Sequence, residues 1–250
     1  MSSPMRIRTI GYWGAYPGVD AATSSFLIEG EDTRILIDCG SVVLQNLQTY
    51  ITPALLDAVI ITHYHADHTA DIGCLQYAIR VSHSLGERPS TPLPIYGHRE
   101  DEKYVTLTYR THTVFRPYCA DTPVTLGPFV FRFFPVSHTE PSYAIRVSAG
   151  DFTAVFSGDS AYDERLVKAA ENADVFFCES SLYNAFAGAV EGHLSAGEAG
   201  TIARKAGVKE LVLTHLPHYG THQDLVEEAS EEYSGPVQLN KPGLIWKFSA

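Results

Sequence analysis

The chain has 250 residues, 45% of them apolar and 19% charged, with a formal net charge of −11. That length leaves room for a sizeable core, and the composition lies near the globular average and far from the disordered range. An acidic balance excludes a sequence-independent grip on nucleic acid, which needs a basic surface to displace phosphate counterions, but it leaves a small anionic substrate open because bound cations reverse the potential locally.

The first forty residues alternate apolar runs with tight joints. RIRTIGYW, SSFLIEG and TRILIDCG are expected as strands opening with a hairpin, with Gly and acidic residues at the turns. SVVLQNLQTYI carries apolar residues at helical spacing behind a capping Ser41, and Pro53 is expected to close it. LDAVIIT is a short β-branched run that suits a buried strand. TADIGCLQYAIRVSHSL has helical periodicity and runs into the linker GERPSTPLP, followed by a strand at PIYGH. The segment 99–119 is expected to be helical, and the wider stretch 80–119 to shape a substrate mouth. VTLGPFVFRFFPVSH, YAIRVSAGDFTAVFSGDS, ADVFFCESS and ELVLTHLP read as strands, while DERLVKAAENA and LSAGEAGTIARKAGV read as helices. The strand–helix alternation after residue 150 points to a layered α/β sandwich. With no repeat and no long linker, residues 1–250 are expected to form a single domain.

No stretch approaches the roughly 20 consecutive apolar residues of a membrane span, and the N-terminal MSSPMRIRTIGYW lacks a basic head followed by an apolar run. A cytoplasmic location is the expectation. Cys39, Cys74, Cys119 and Cys178 are far apart with no paired spacing, so they are expected to be mostly buried thiols rather than a disulfide framework or a cysteine zinc site.

The chemistry concentrates in HYHADH, residues 63–68, at the exit of the LDAVIIT strand. On extended backbone the side chains at i and i+2 share a side, so His63 and His65 can converge while Asp67 and His68 serve a neighbouring point. Imidazole nitrogen and carboxylate oxygen are ligands for zinc and other divalent first-row metals. Three further polar residues close apolar runs: His138 in FFPVSH, Asp159 in TAVFSGD and His215 in LVLTH. ADVFFCES places Glu179 at a strand end, and EGHLSAGEAG places His193 two residues before Ser195, which with Glu198 forms a capping box for the next helix. His218 and His222 in LPHYGTH lie just beyond His215, within reach of a substrate; His83, His98 and His112 read as surface or packing residues, and PFVFRFF as strand and core.

HYHADH with downstream His138, Asp159 and His215 resembles the metallo-β-lactamase superfamily, and within it the branch of ribonuclease Z and cyclic-nucleotide phosphodiesterases. The resemblance covers nearly the whole chain. It implies a four-layer αβ/βα sandwich of two packed mixed β-sheets flanked by helices. It also implies two divalent metal ions, zinc or alternatively manganese. His63, His65, His138 and Asp159 would hold the first, and Asp67, His68, Asp159 and His215 the second, with Asp159 bridging. Carried over from ribonuclease Z relatives, Glu179 and His193 would pair, with His193 as proton donor. A homodimer is compatible with this resemblance.

Two cations sharing a water lower its pKa toward neutrality and clamp the attacked oxygen, which makes a hydrolase of the site. Asp67 can orient that water while ligating. A histidine held by a carboxylate can protonate a departing alkoxide, a contribution of about 10²–10⁴-fold. The expected activity is therefore a metal-dependent phosphodiesterase acting on a small phosphodiester such as a cyclic nucleotide. A tRNA 3′-end endonuclease is the alternative; ribonuclease Z enzymes carry a long arm between the positions matching His138 and Asp159, where this chain has only twenty residues. Lactone, thioester and β-lactam hydrolysis use related metal sites. From other classes come an iron-dependent sulfur dioxygenase, which typically uses one metal without the Glu–His pair, and flavodiiron oxidoreductases, which carry Glu where this chain has His65. A non-catalytic protein with a structural metal is disfavoured because such sites usually close with four Cys or His ligands.

Overall fold

The computed structural model of the chain describes residues 5–19 and 21–248. The described chain divides into two compact units: one runs to Tyr118 and takes back the C-terminal stretch from Pro242, the other runs from Cys119 to Lys241.

The first unit is built on one mixed sheet. Its strands are β1 (Met5–Trp13), β2 (Ala22–Thr23), β3 (Ser25–Gly30), β4 (Thr33–Ile37), β5 (Ala58–Ile60), β6 (Leu93–Gly97), β7 (Thr113–Pro117) and the C-terminal β15 (Ile245–Phe248). The order is β15-β1-β3-β4-β5-β6-β7, with β2 on β1. β15, β1, β3 and β4 pair antiparallel, and β4 to β7 pair parallel. The β3–β4 hairpin is the expected one, turned by Glu31 at a φ of 51°. β5 is buried at every residue, as its AVI sequence and central parallel position require.

Among the described residues, the helices of this unit are α1 (Val43–Leu47), α2 (Ala66–Thr69) and α3 (Ile72–Leu85). α3 buries Ile72, Leu75 and Ile79 and ends at Gly86, whose φ of 70° suits the left-handed cap. α1 is shorter than its periodicity predicts. Its N-cap is Val42 in the left-handed conformation, with no side-chain cap from Ser41, and Pro53 opens a separate 3₁₀ turn rather than closing the helix. Proline at the first position of a turn costs no amide and presets φ. The helix expected over 99–119 is also corrected. A 3₁₀ turn at Glu102–Leu107 leads into β7, because Thr113 Oγ1 donates to Leu107 O at 2.9 Å and accepts from Tyr109 N at 3.0 Å, turning the chain onto the sheet. Its β-branched and aromatic content is spent on an edge strand ended by Pro117.

The second unit holds β8 (Val124–Leu126), β9 (Phe129–Val136), β10 (Ser142–Ala149), β11 (Phe152–Phe156), β12 (Val175–Glu179), β13 (Leu211–Thr214) and β14 (Val237–Leu239) in the order β14-β13-β12-β11-β10-β9-β8. β8 to β11 form an antiparallel meander. From β11 onward the pairing is parallel, and α4 (Glu164–Ala170), α5 (Ala196–Ala206) and α6 (His222–Glu232) make the crossovers. Phe129, Phe131 and Phe133 bury one face of β9, and every residue of β12 and β13 is buried. The capping box that opens α5 is formed: Ser195 Oγ accepts from Glu198 N, and Ser195 N donates to Glu198 Oε2 at 2.8 Å.

In both units the polar residues of interest sit at the carboxyl ends of the core strands. Asp38 follows β4 and His63 follows β5; Asp159, Glu179 and His215 lie at the ends of β11, β12 and β13, and His138 follows β9, which runs in the same direction as β11. Gly40 adapts the first unit to this arrangement. The turn after β4 grips α2 through Cys39 N→His68 O at 2.9 Å and Asp71 N→Cys39 O at 3.0 Å. A Cβ on Gly40 would overlap the Asp67 carbonyl oxygen and Thr23 Oγ1. Gly40→Ala is expected to cost about 1–3 kcal/mol by overpacking, and so to lower the thermal midpoint by roughly 2–10 °C. A calorimetric scan that found an unchanged midpoint would show that α2 can give way.

Candidate metal centre

The four charged or imidazole residues of HYHADH occupy the end of β5 and the helix α2. His63 Nε2 and His65 Nδ1 approach to 3.1 Å, so the first two histidines share a side as their spacing predicts. His65 is the N-cap of α2, which puts Asp67 and His68 on the helix's single turn. His68 Nε2 lies 3.6 Å from Asp67 Oδ2, whose carboxylate accepts from Ala15 N at 2.9 Å.

Behind these residues stands Asp38, buried to 4% exposure at the end of β4. Its Oδ2 lies 2.7 Å from His68 Nδ1 and accepts from Thr62 Oγ1 at 2.9 Å, while Oδ1 accepts from Thr62 N at 2.8 Å. A carboxylate only accepts, so the His68 Nδ1 carries a proton and the Nε2 of the neutral ring carries the lone pair. Thr62 has given its single hydroxyl proton to Asp38; it therefore accepts from His63 Nδ1, 3.1 Å away, and leaves the lone pair of that ring on Nε2 as well. One carboxylate and one hydroxyl thus set two tautomers, the arrangement that makes imidazole a ligand.

The second unit contains a matching construction. Glu179, wholly buried, accepts from Ser160 N at 2.8 Å through Oε1 and from Ser181 Oγ at 2.7 Å through Oε2. His193 Nδ1 lies 3.1 Å from Glu179 Oε1, so it donates there. His215 Nδ1 is 2.8 Å from Ser181 Oγ, and its Nε2 is 3.2 Å from Asp159 Oδ2. His138 Nδ1 donates to the Gly192 carbonyl at 2.8 Å, and Gly192 stands at a φ of 81°, the left-handed region that glycine tolerates. The rings of His193 and His215 stack at 5.6 Å and those of His138 and His193 meet edge-on at 5.1 Å. Glu179, His193 and His215 offer ligand-type atoms all within 4.8 Å of one another.

The donor chemistry fits divalent cations. His215 donates through Nδ1, so its Nε2 lone pair faces a carboxylate oxygen at 3.2 Å, and two electron-rich atoms at that distance call for a cation against both. His63, His68, His138 and His215 all have Nδ1 committed, and all the expected donors are nitrogen or carboxylate oxygen. Within the first unit the structure brings together His63, His65, Asp67 and His68; within the second it brings together His138, Asp159, Glu179, His193 and His215.

Other histidines have local duties. His222 is the first residue of α6 and its Nε2 donates to Pro217 O at 2.7 Å. His83 and His112 meet through their Nδ1 atoms at 2.9 Å, and His98 is buried beneath Tyr64, whose hydroxyl donates to the His98 carbonyl at 2.6 Å. Two of the four cysteines depart from expectation: Cys39 and Cys178 are buried, but Cys74 and Cys119 are exposed, on α3 and just after β7. Burial pushes the Cys39 and Cys178 thiols well above their usual pKa, which excludes them as nucleophiles. Asp38, Thr62, Ser181 and Gly192 are the functional positions that the sequence reading did not single out. The available signal was Asp38, an acid closing the apolar run ILI in the way Asp159 closes TAVF.

Comparison with known proteins places the chain in a family. The family described as "Beta-lactamase superfamily domain" matches residues 33–216, reaching from the first unit into the second. The "Probable metallo-hydrolase YhfI" of Bacillus subtilis is 42% identical over 97% of this chain and 100% of its own length. The crystal structure of that metallo-β-lactamase-fold protein superposes with a TM-score of 0.94, covering 98% of this chain and 99% of the other. Ribonuclease Z of Myxococcus xanthus is 29% identical, with 97% of each chain covered. The chain therefore belongs to the β-lactamase superfamily, as a metallo-hydrolase of the metallo-β-lactamase fold.

Proposed function

We propose that the chain hydrolyses a small phosphodiester, such as a cyclic nucleotide, using two divalent cations, zinc or alternatively manganese. In this reading His63, His65, His138 and Asp159 hold one ion, Asp67, His68, Asp159 and His215 hold the other, and residues 1–250 act as one functional domain in the cytoplasm, alone or as a homodimer. When bound, the cations supply Lewis acidity, activating water at neutral pH and neutralising charge on the phosphoryl group. Asp67 orients the attacking water.

The observation that carries the phosphodiester reading is the Glu179–His193 contact at 3.1 Å. Glu179 is anchored from behind by Ser160 N and Ser181 Oγ, so it cannot swing away, and it holds the Nδ1 proton of His193. In this reading the Nε2 of His193 delivers a proton to the leaving group. An alkoxide leaving group needs that proton, whereas a thiolate, with a conjugate-acid pKa near 8.5, leaves without it. The negative whole-chain charge also favours a small ligand over a large RNA. The twenty residues between His138 and Asp159 are taken up by the β10–β11 hairpin, turned at Gly150, which leaves no length there for an RNA-clamping arm.

Purified protein supplied with Zn²⁺ or Mn²⁺ is expected to cleave bis-p-nitrophenyl phosphate and, in a panel with linear dinucleotides, pre-tRNA, lactones and thioesters, to prefer cyclic nucleotides. A preference for a lactone or thioester would overturn the reading. Asp159→Ala should lower both the metal content measured by elemental analysis and the turnover, the latter by about 10²-fold or more given the several kcal/mol that metal ions contribute. Full metal and full activity in that variant would remove Asp159 from its bridging role. His193→Ala should lose about 10²–10⁴-fold toward alkyl phosphodiesters and much less toward p-nitrophenyl esters. Equal losses on both would mean that His193 does not protonate the leaving group.

A further inference from the structure

The Ser181 hydroxyl joins Glu179 and His193 to His215 in the second unit. It donates to Glu179 Oε2 at 2.7 Å, lies 2.8 Å from His215 Nδ1 and 3.4 Å from His193 Nδ1, and is 3.3 Å from the His215 carbonyl. A hydroxyl has one proton to give. With Glu179 as its acceptor, the oxygen receives the Nδ1 proton of His215 on a lone pair, and the Nε2 lone pair of that ring is directed toward Asp159. The same Glu179 holds Nδ1 of His193 through Oε1, and its Oε1 also takes the amide of Ser160, the residue after Asp159.

We infer that Ser181 is a positioning residue through which one buried carboxylate, Glu179, fixes both the metal-ligand tautomer of His215 and the orientation of the proton donor His193. Its hydroxyl makes no bond to substrate; it transmits the charge of Glu179 to His215. The inference rests on the proposed roles of His215 and His193. Removing the hydroxyl in Ser181→Ala leaves His215 Nδ1 without its acceptor, lets the ring turn or exchange tautomers, and leaves Glu179 with one donor fewer. Loss of such an outer partner typically weakens metal affinity about 10–100-fold.

The test is equilibrium binding of Co²⁺ to the full chain against a chelator, followed by visible absorption, with Ser181→Ala, Ser181→Thr and Glu179→Gln compared with the parent. Ser181→Ala is expected to weaken one equivalent of cobalt by about 10–100-fold and change its d–d spectrum, while the other equivalent keeps its affinity. Ser181→Thr, which restores the hydroxyl, should return that equivalent to within a few fold of the parent. Glu179→Gln should weaken the same equivalent, and the double variant Ser181→Ala/Glu179→Gln should weaken it no further than the worse single variant, because both changes break one chain of contacts. Parent-like binding of both equivalents by Ser181→Ala would overturn the assignment, as would equal loss of both or additive losses in the double variant. If the parent binds two cobalt ions yet cleaves no phosphodiester, the phosphodiesterase reading fails, and the Ser181 assignment is still decided by the binding data.

Discussion

A carboxylate taken out of water must be surrounded by donors or give up its charge, and this protein places one such carboxylate behind each set of candidate ligands. Asp38 in the first unit and Glu179 in the second are both buried, and both are satisfied in the same way: one imidazole directly, one hydroxyl, and a backbone amide. In each case the hydroxyl then accepts from a second imidazole, Thr62 from His63 and Ser181 from His215. The donors that satisfy these buried carboxylates are thus the same imidazoles that the proposed chemistry needs to have oriented. Removing either acid would strand two imidazoles and a hydroxyl at once, which is why the cost of breaking such a network exceeds that of any single bond in it.

The strand ends make these contacts possible. Parallel neighbours deliver their carboxyl-terminal residues to one edge of a sheet, so Asp38 and Thr62, 24 positions apart in sequence, meet, as do Glu179 and Ser160 across 19. Two of these residues hold a backbone conformation that non-glycine residues avoid: Asp38 at a φ of 57° and His215 at 52°. Left-handed residues of this kind cost of order 1–3 kcal/mol and persist where the surroundings over-determine them. Here the surroundings are the same hydrogen bonds, Ser181 on His215 and Thr62 on Asp38, so the local strain and the site's order come from one network.

A catalytic reading follows from the asymmetry between the two sets. In the first unit both imidazoles tied to Asp38 belong to the proposed ligands, whereas in the second Glu179 ties a proposed ligand, His215, to the proposed proton donor, His193. His138 is connected to the same loop through the carbonyl of Gly192, one residue before His193. A shift of the 191–194 loop would therefore be felt at a proposed metal ligand as well as at the proposed proton donor.

The sequence by itself determined the donors and the edges at which they emerge. HYHADH, His138, Asp159 and His215 each close an apolar run, and an apolar run followed by a polar residue is a buried strand reaching its end, a local signal readable without coordinates. The α5 capping box and the parallel core strands are local in the same sense. The strand within 99–119 is not legible locally, because Thr, Tyr and Val occur there without a clean period and β7 depends on pairing with β6. Asp38, Thr62, Ser181 and Gly192 escaped for a different reason. Each acts on a histidine through a hydrogen bond, and for Asp38, Ser181 and Gly192 that bond spans 30, 34 and 54 positions, while Thr62 acquires its direction from an acid 24 positions away. Which ring nitrogen carries the proton is a property of that distant partner and not of the histidine, so only the tertiary structure decided which nitrogens carry the lone pair a cation would need.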